Sequence, residues 1–282
     1  MTFTYLDQNA LLKLGFKARK PDFRQRLDTA LSGSLAIVVS SWHLIEKAHT
    51  SNVAIAVELA EFIDSLRPSW LLERRDIQKL DVEDDFCRFL GIDCPNKPRI
   101  TTRSAVHAAL SRQKDSTRFD IPSSKFVKQW IEHPDQLKAL DQAYIDNANS
   151  LIRLRELVKA GRVTEEIRRR VDEIMVGASL PTTTPAGLDV GRQLRADYIK
   201  QVKVVEIPSL AIEIAISEHE WALQGGADRN TLIDKFHLIS ALPYVDEIIS
   251  NDKFFAGIYP AAQKAGFVRA KLLNNDELLR RL

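Results

Sequence analysis

Apolar residues along this chain follow two rhythms. Near both ends they gather in short runs rich in β-branched and aromatic side chains: Thr2 to Leu6, Ser34 to Ser40, Trp70 to Ile77, Val245 to Ser250 and Gly266 to Leu273. A run such as Leu35-Ala36-Ile37-Val38-Val39, apolar almost throughout, suits a strand buried on both faces of a parallel sheet. Between these runs apolar positions recur every three to four residues. That spacing predicts helices over 9–16, 21–32, from about Trp42, over 54–66, 81–90, 208–223 and 231–242, and a short one from Asn275. Pro21 suits a first helical position, Ser40 and Ser41 suit a helix start, and Gly15, Pro68 and Gly91 read as helix ends. Strands divided by helices at both chain ends predict an α/β fold, a three-layer α/β/α arrangement around a central, mainly parallel sheet. Segments 2–6, 35–40 and 245–250 are expected to be neighbours in it.

Residues 95–205 look different. Helical patterns run over 103–113, 123–132, 135–160, 164–178 and 189–200, and strand patterns are almost absent. The expected organisation is a core made of 1–92 and 206–282 with a helical insertion over 93–205. Between 97 and 204 there are 20 Lys+Arg against 13 Asp+Glu, a balance of +7. From totals of 40 and 38, the rest of the chain keeps 20 and 25, a balance of −5. A basic insertion beside an acidic core is either a surface for a polyanion or a solvated helical face.

Bulk composition narrows the classes. The 282 residues are 45% apolar and 28% charged with a net charge of +2, which describes a soluble globular chain and not a polycation. No run of eighteen apolar residues exists to span a membrane, and the N-terminus lacks the basic start and apolar stretch of a signal peptide. Cys87 and Cys94 match no zinc spacing and make no disulfide framework, which points to a reducing cytoplasm. Gly-x-Gly-x-x-Gly, P-loop and Gly-x-Ser-x-Gly motifs are missing from the sequence, which argues against dinucleotide, nucleoside-triphosphate and α/β-hydrolase chemistry.

Four acids fall where such a sheet would bring them to one edge. Asp7 and Asp252 end strands, Glu46 lies early in the helix after the second strand, and Asp234 opens the helix before the strand that leads to Asp252. Open α/β sheets bind ligands at the carboxyl ends of their strands. Carboxylates crowded there repel one another unless a cation sits between them, and hard oxygen ligands suit Mg²⁺ or Mn²⁺. Each acid also has a structural role open to it. Asp7 can cap a helix, Glu46 and Asp234 can complement helix dipoles, and Asp252 can shape a turn. His43 and His49, six apart, are misplaced for helical metal ligation. His237 lies one turn from Asp234, and Arg168-Arg169-Arg170 is a candidate phosphate contact.

The joint order of these segments resembles the PIN-domain nucleases, the fold of many toxin–antitoxin ribonucleases. The matching stretches are Tyr5-Leu6-Asp7-Gln8-Asn9, Ser41-Trp42-His43-Leu44-Ile45-Glu46, Leu232-Ile233-Asp234-Lys235-Phe236-His237 and Ile249-Ser250-Asn251-Asp252-Lys253. The resemblance implies that Asp7, Glu46, Asp234 and Asp252 are the catalytic and metal-holding acids. Asn9, Ser250 and Asn251 would support them. It covers residues 1–92 and 206–282 and leaves the helical middle aside. It implies a Mg²⁺- or Mn²⁺-dependent endonuclease, acting on RNA in preference to DNA, with an antitoxin or regulatory protein as a further partner and a homodimer as one assembly. Two alternatives stay open. A haloacid-dehalogenase-type phosphatase also ends its first strand in Asp but wants a second Asp where Asn9 stands, and a non-catalytic nucleic-acid-binding protein could use the same fold.

Overall fold

Thr2–Leu6 (β1) is extended because its β-branched and aromatic side chains pack on both faces of a sheet, with Thr4, Tyr5 and Leu6 fully buried. The structure is a computed structural model, which describes residues 1–49, 52–94, 97–110, 121–138, 160, 163–176, 185–222 and 229–282. With Leu35–Ser40 (β2), Ser69–Leu71 (β3), Ile100–Thr101 (β4), Glu247–Ile249 (β5) and Lys271–Leu273 (β6), β1 forms one six-stranded sheet in the order β4-β3-β2-β1-β5-β6. All pairings are parallel except β3 with β4. The register sets Tyr5 opposite Val38 on one side and Ile248 on the other. The expectation that 2–6, 35–40 and 245–250 are neighbours is met.

The period-two alternation divides the strand residues between two cores. Leu6, Ile37, Val39, Trp70 and Ile249 face one core. There they meet Gln8–Ala18 (α1), Pro21–Ser32 (α2), Ser41–Ala48 (α3) and Val53–Ser65 (α4). Tyr5, Val38, Leu71 and Ile248 face the other. Arg74–Phe89 (α5) touches that second core through Ile77. Arg103–Leu110 (α6) and Ser123–Glu132 (α7) lend Val106, Phe126 and Val127 to the first core. The start of the expected insertion is therefore woven into the core, and β4 adds an antiparallel edge strand.

Val163–Val176 (α8) and Pro185–Gln201 (α9) form a satellite. Val171, Met175, Tyr198 and Val202 pack there against Val82 and Phe86 of α5. Pro208–Ala222 (α10), Arg229–Ala241 (α11) and Lys253–Gln263 (α12) cover the second sheet face, and Asn275–Arg281 (α13) closes on the first. Cations of residues 97–204 reach acids outside that range. Arg99 bridges Asp81 and Asp84 at 2.9 and 2.5 Å, Lys97 meets Glu83 at 3.0 Å, Arg103 meets Asp64 at 2.8 Å and Arg170 meets Glu213 at 3.0 Å. Part of the charge contrast between the two regions is thus satisfied within the molecule. Among the described residues no helix is long and apolar enough to cross a membrane.

Several boundaries differ from the sequence expectation. The strand expected over 70–77 stops at Leu71, and α5 begins at Arg74, seven residues before the expected 81. The cause is helical spacing: the buried residues of α5, Ile77, Gln78, Asp81, Val82 and Phe86, recur at intervals of three to four, so Ile77 belongs to the helix pattern and not to the strand. The run 266–273 pairs only at 271–273. Gly266 takes φ 80°, and the Arg269 and Ala270 N–H groups both donate to Leu242 O, a turn that delays the strand. Gly15 does not end α1, which runs on to Ala18. A Cβ at Gly15 would lie 3.1 Å from Phe62, so glycine here lets α1 approach α4. Helix α12 had no counterpart in the expected elements. The helix expected over 135–160 lies outside the described residues beyond position 138.

Candidate active site

The chain runs from β1 outward through β2 to β3, then returns to place β5 and β6 on the other side of β1. That reversal makes a topological switch point at the carboxyl ends of β1 and β5, and the crevice outside such a point is where open α/β sheets bind ligands. Asp7 follows β1 and Ser250, Asn251 and Asp252 follow β5. The Asp7 N–H donates to Ile249 O at 3.0 Å, so the last β-bridge delivers Asp7 beside Ser250.

Both acids are helix caps. Asp7 Oδ1 accepts from the Ala10 N–H at 2.5 Å, and Asp252 Oδ1 accepts from the Phe254 N–H at 2.6 Å. The N-termini of α1 and α12 therefore converge on the crevice, and their dipoles favour negative charge there. Ser250 joins the two acids. Its hydroxyl donates to Asp7 Oδ2 and its oxygen accepts the Asp252 N–H at 2.9 Å. Burial pushes the Asp7 carboxyl above its ordinary range and the nearby Asp252 charge adds to this, while the Ser250, Ala10 and Asn9 donors pull it back. Among the described residues no Lys or Arg forms an ion pair with Asp7 or Asp252. Asn251 Oδ1 accepts from the Asn275 N–H at 2.9 Å, tying the crevice rim to α13. Asn9, in the first turn of α1, is exposed.

Glu46 and Asp234 are both half-buried. Glu46 lies near enough to Tyr5 for its charge, with those of Glu73 and Asp7, to raise the Tyr5 hydroxyl further above its ordinary range, burial being the main cause. Asp234 lies on α11 one turn before His237. Among the described residues no three His, Cys, Asp or Glu side chains form a ready-made metal cage. The pair the structure brings together is Asp7 with Asp252. Mg²⁺ keeps several waters and is commonly held by one or two carboxylates plus substrate phosphates, so an oxygen pair lacking a cationic partner fits such an ion.

Beneath the crevice lies a buried polar network that motif reading missed. Tyr5 OH bonds His237 Nδ1 and lies 3.1 Å from Ser40 Oγ. The Ser40 N–H donates to His43 Nδ1 at 3.0 Å, and His43 Nε2–H donates to Leu6 O at 2.7 Å, which fixes the neutral tautomer. Burial drives the His43 imidazole down to about 4 and that of His237 well below its usual value. Both are neutral struts under the last residues of β1. Glu73, at the carboxyl end of β3, is held protonated by burial, its carboxyl pushed up to about 8, with Asp76 adding and Trp42 opposing. His43 stands three residues after Ser40, the capping-box spacing, and that was its available signal. Glu73 had none, because the strand was expected to run through it.

The triple arginine divides as a helix requires. Arg170 points inward to Glu213, while Arg169 pairs with Glu166 and Glu173 on its own helix. Comparison with family models, with curated proteins and with solved structures finds no match to this chain.

Proposed function

We propose that the chain is a Mg²⁺- or Mn²⁺-dependent endonuclease of PIN-like, three-layer α/β/α architecture, acting on RNA in the cytoplasm. The observation that carries it is the Asp7–Ser250–Asp252 arrangement at the point where strand order reverses. Residues separated by 243 positions are joined there by a hydroxyl whose evident role is to orient a carboxylate. Asp7 and Asp252 would hold the ion, with Glu46 and Asp234 contributing from α3 and α11. When bound, the ion supplies Lewis-acid polarisation of a phosphodiester and of an attacking water. Ser250 fixes the Asp7 rotamer, and Asp7 is the buried base available to take a proton from that water. The N-termini of α1 and α12 offer a favourable field to the anionic phosphate.

The test is cleavage of end-labelled total RNA by the purified chain with Mg²⁺, with Mn²⁺ and with EDTA, alongside Asp7→Asn. Metal-dependent fragments lost in the variant support the reading. Metal-dependent release of inorganic phosphate from small phosphomonoesters, without RNA fragments, would favour the phosphatase alternative. RNA binding with no cleavage under any metal would favour a non-catalytic binder.

A further inference from the structure

A groove of about 560 Å³ separates the start of α5 from α8. Five cations line it, Arg74, Arg75 and Lys79 from α5 and Arg169 and Arg170 from α8, against three acids, Asp76, Glu166 and Glu173. Three features set it apart from an ordinary charged surface. Arg74 and Arg75 occupy the first two positions of α5, where the helix dipole disfavours cations, so helix stability does not explain them.

The second feature is rigidity. The Arg74 guanidinium lies 4.3 Å over the Phe236 ring, and Arg74 Nη1 and Arg170 Nη1 approach the buried Glu213 Oε1 at 2.9 and 3.0 Å from opposite walls. The two side chains are only 11% and 18% exposed. Each guanidinium carries five N–H donors, and for these two no bond beyond Glu213 occurs among the described residues. Half-buried donors held in place and left over are what an incoming oxyanion would satisfy.

The third feature is location. Helix α5 starts where β3 ends, on the carboxyl edge of the sheet, and β3 lies two strand spacings, about 10 Å, from β1 and Asp7.

We infer that this groove binds the phosphodiester backbone of single-stranded nucleic acid and leads it to the crevice at Asp7 and Asp252. The inference rests on the nuclease reading for its destination, but the binding it asserts is measurable without cleavage. Arg74 and Arg170 would grip one phosphate through their spare donors. Arg75 and Lys79, on the open side, would meet the next, Lys79 turning to it from Glu83, which lies 3.9 Å away. Arg169 is held by Glu166 and Glu173 and keeps the wall in place.

The experiment measures fluorescence anisotropy of a labelled single-stranded RNA of about 20 nucleotides, in EDTA, over a range of salt. The proteins are the wild type, Arg75→Ala/Lys79→Ala, and Arg19→Ala/Lys20→Ala as an equal loss of charge in the turn between α1 and α2. The groove variant is expected to bind roughly tenfold more weakly. The slope of log K against log salt should become shallower by about 0.7 for each lost contact. The turn variant should match the wild type. Both substitutions lie on exposed or half-exposed positions, and circular dichroism checks folding; Lys79→Glu alone, expected to weaken binding further than Lys79→Ala, is the second probe. Equal weakening by both double variants, or none by the groove variant and Lys79→Glu, would overturn the inference. So would tight binding of pyrophosphate with none of RNA, which would make the groove a small-anion pocket. Groove-dependent RNA binding by a chain that never cleaves would sink the nuclease reading and leave the groove standing. Cleavage with unaltered binding by the groove variants would do the reverse.

Discussion

Glu213→Gln should destabilise the protein by about 3 kcal/mol at neutral pH. Glu213 is 2% exposed and receives Arg74 and Arg170 on one oxygen and Gln78 on the other, with Lys235 near enough to add to the field. Burial alone would raise its carboxyl, but the surrounding cations outweigh that and hold it down at about 2 against an ordinary 4.5. A difference of about 2.5 units corresponds to about 3 kcal/mol of linkage. Removing one partner from a buried ion pair costs about 3–5 kcal/mol, which agrees. The folded-state value is depressed, so this stability is present above the unfolded value of 4.5 and is lost as pH falls toward 2. By about pH 4 the wild type should have lost roughly 1 kcal/mol of its advantage over the variant. For a chain of 282 residues, 3 kcal/mol lowers Tm by about 5 °C. Urea unfolding of both proteins at about pH 7, 5 and 4 measures it. A gap under about 1 kcal/mol at pH 7, or one that stays constant down to pH 4, would refute the reasoning, because the charge on Glu213 would then not be what holds α5, α8 and α10 together.

Three more expectations follow from the crevice and the network under it. Asp252→Asn keeps an oxygen to cap α12 but removes a charge, so folding stability should hold while RNA cleavage falls roughly a hundredfold or more, measured by single-turnover kinetics. Ser250→Ala removes a donor that pulls the Asp7 carboxyl down, so the acid limb of the pH–rate profile should move to higher pH; an unmoved limb would separate Ser250 from Asp7. Glu73 is raised in the folded state to about 8, so its stabilising contribution is full below 4.5 and lost as pH rises to 8. Glu73→Gln should therefore be more stable than the wild type at about pH 8 and near equal at about pH 4.5, as thermal denaturation would report.

The sequence made long, uniform patterns legible and short ones obscure. Segments 2–6 and 35–40 carry enough β-branched, aromatic and other apolar residues to reveal both the strands and their doubly buried setting. β3 and β5 have three residues each and β4 only two, too few for a period to show. Asp7 and Asp252 could be placed because an acid directly after β1, or three residues after β5, falls on the carboxyl edge of a parallel sheet. Their connection through Ser250 could be anticipated only from the family resemblance. The charge contrast between 97–204 and the rest was visible, but its reference was not. Arg99, Arg103 and Arg170 turn inward to Asp81, Asp64 and Glu213, and long-range pairing of that kind leaves no local mark. The neutral pair His43 and His237 was hidden for the same reason, since burial by distant elements defines it.

The position of β1 in the middle of the sheet has a consequence for the order in which the protein is made. Translation delivers β1 first and β2 soon after, but the strand that covers its other edge arrives about 240 residues later. At roughly 5–20 residues per second that interval lasts about 12 to 50 s. Throughout it the nascent chain presents an apolar edge with open N–H and C=O groups, the arrangement most prone to pairing with a wrong neighbour. Asp7 meanwhile lacks Ser250 and Asp252, so the candidate site stays incomplete until β5 docks.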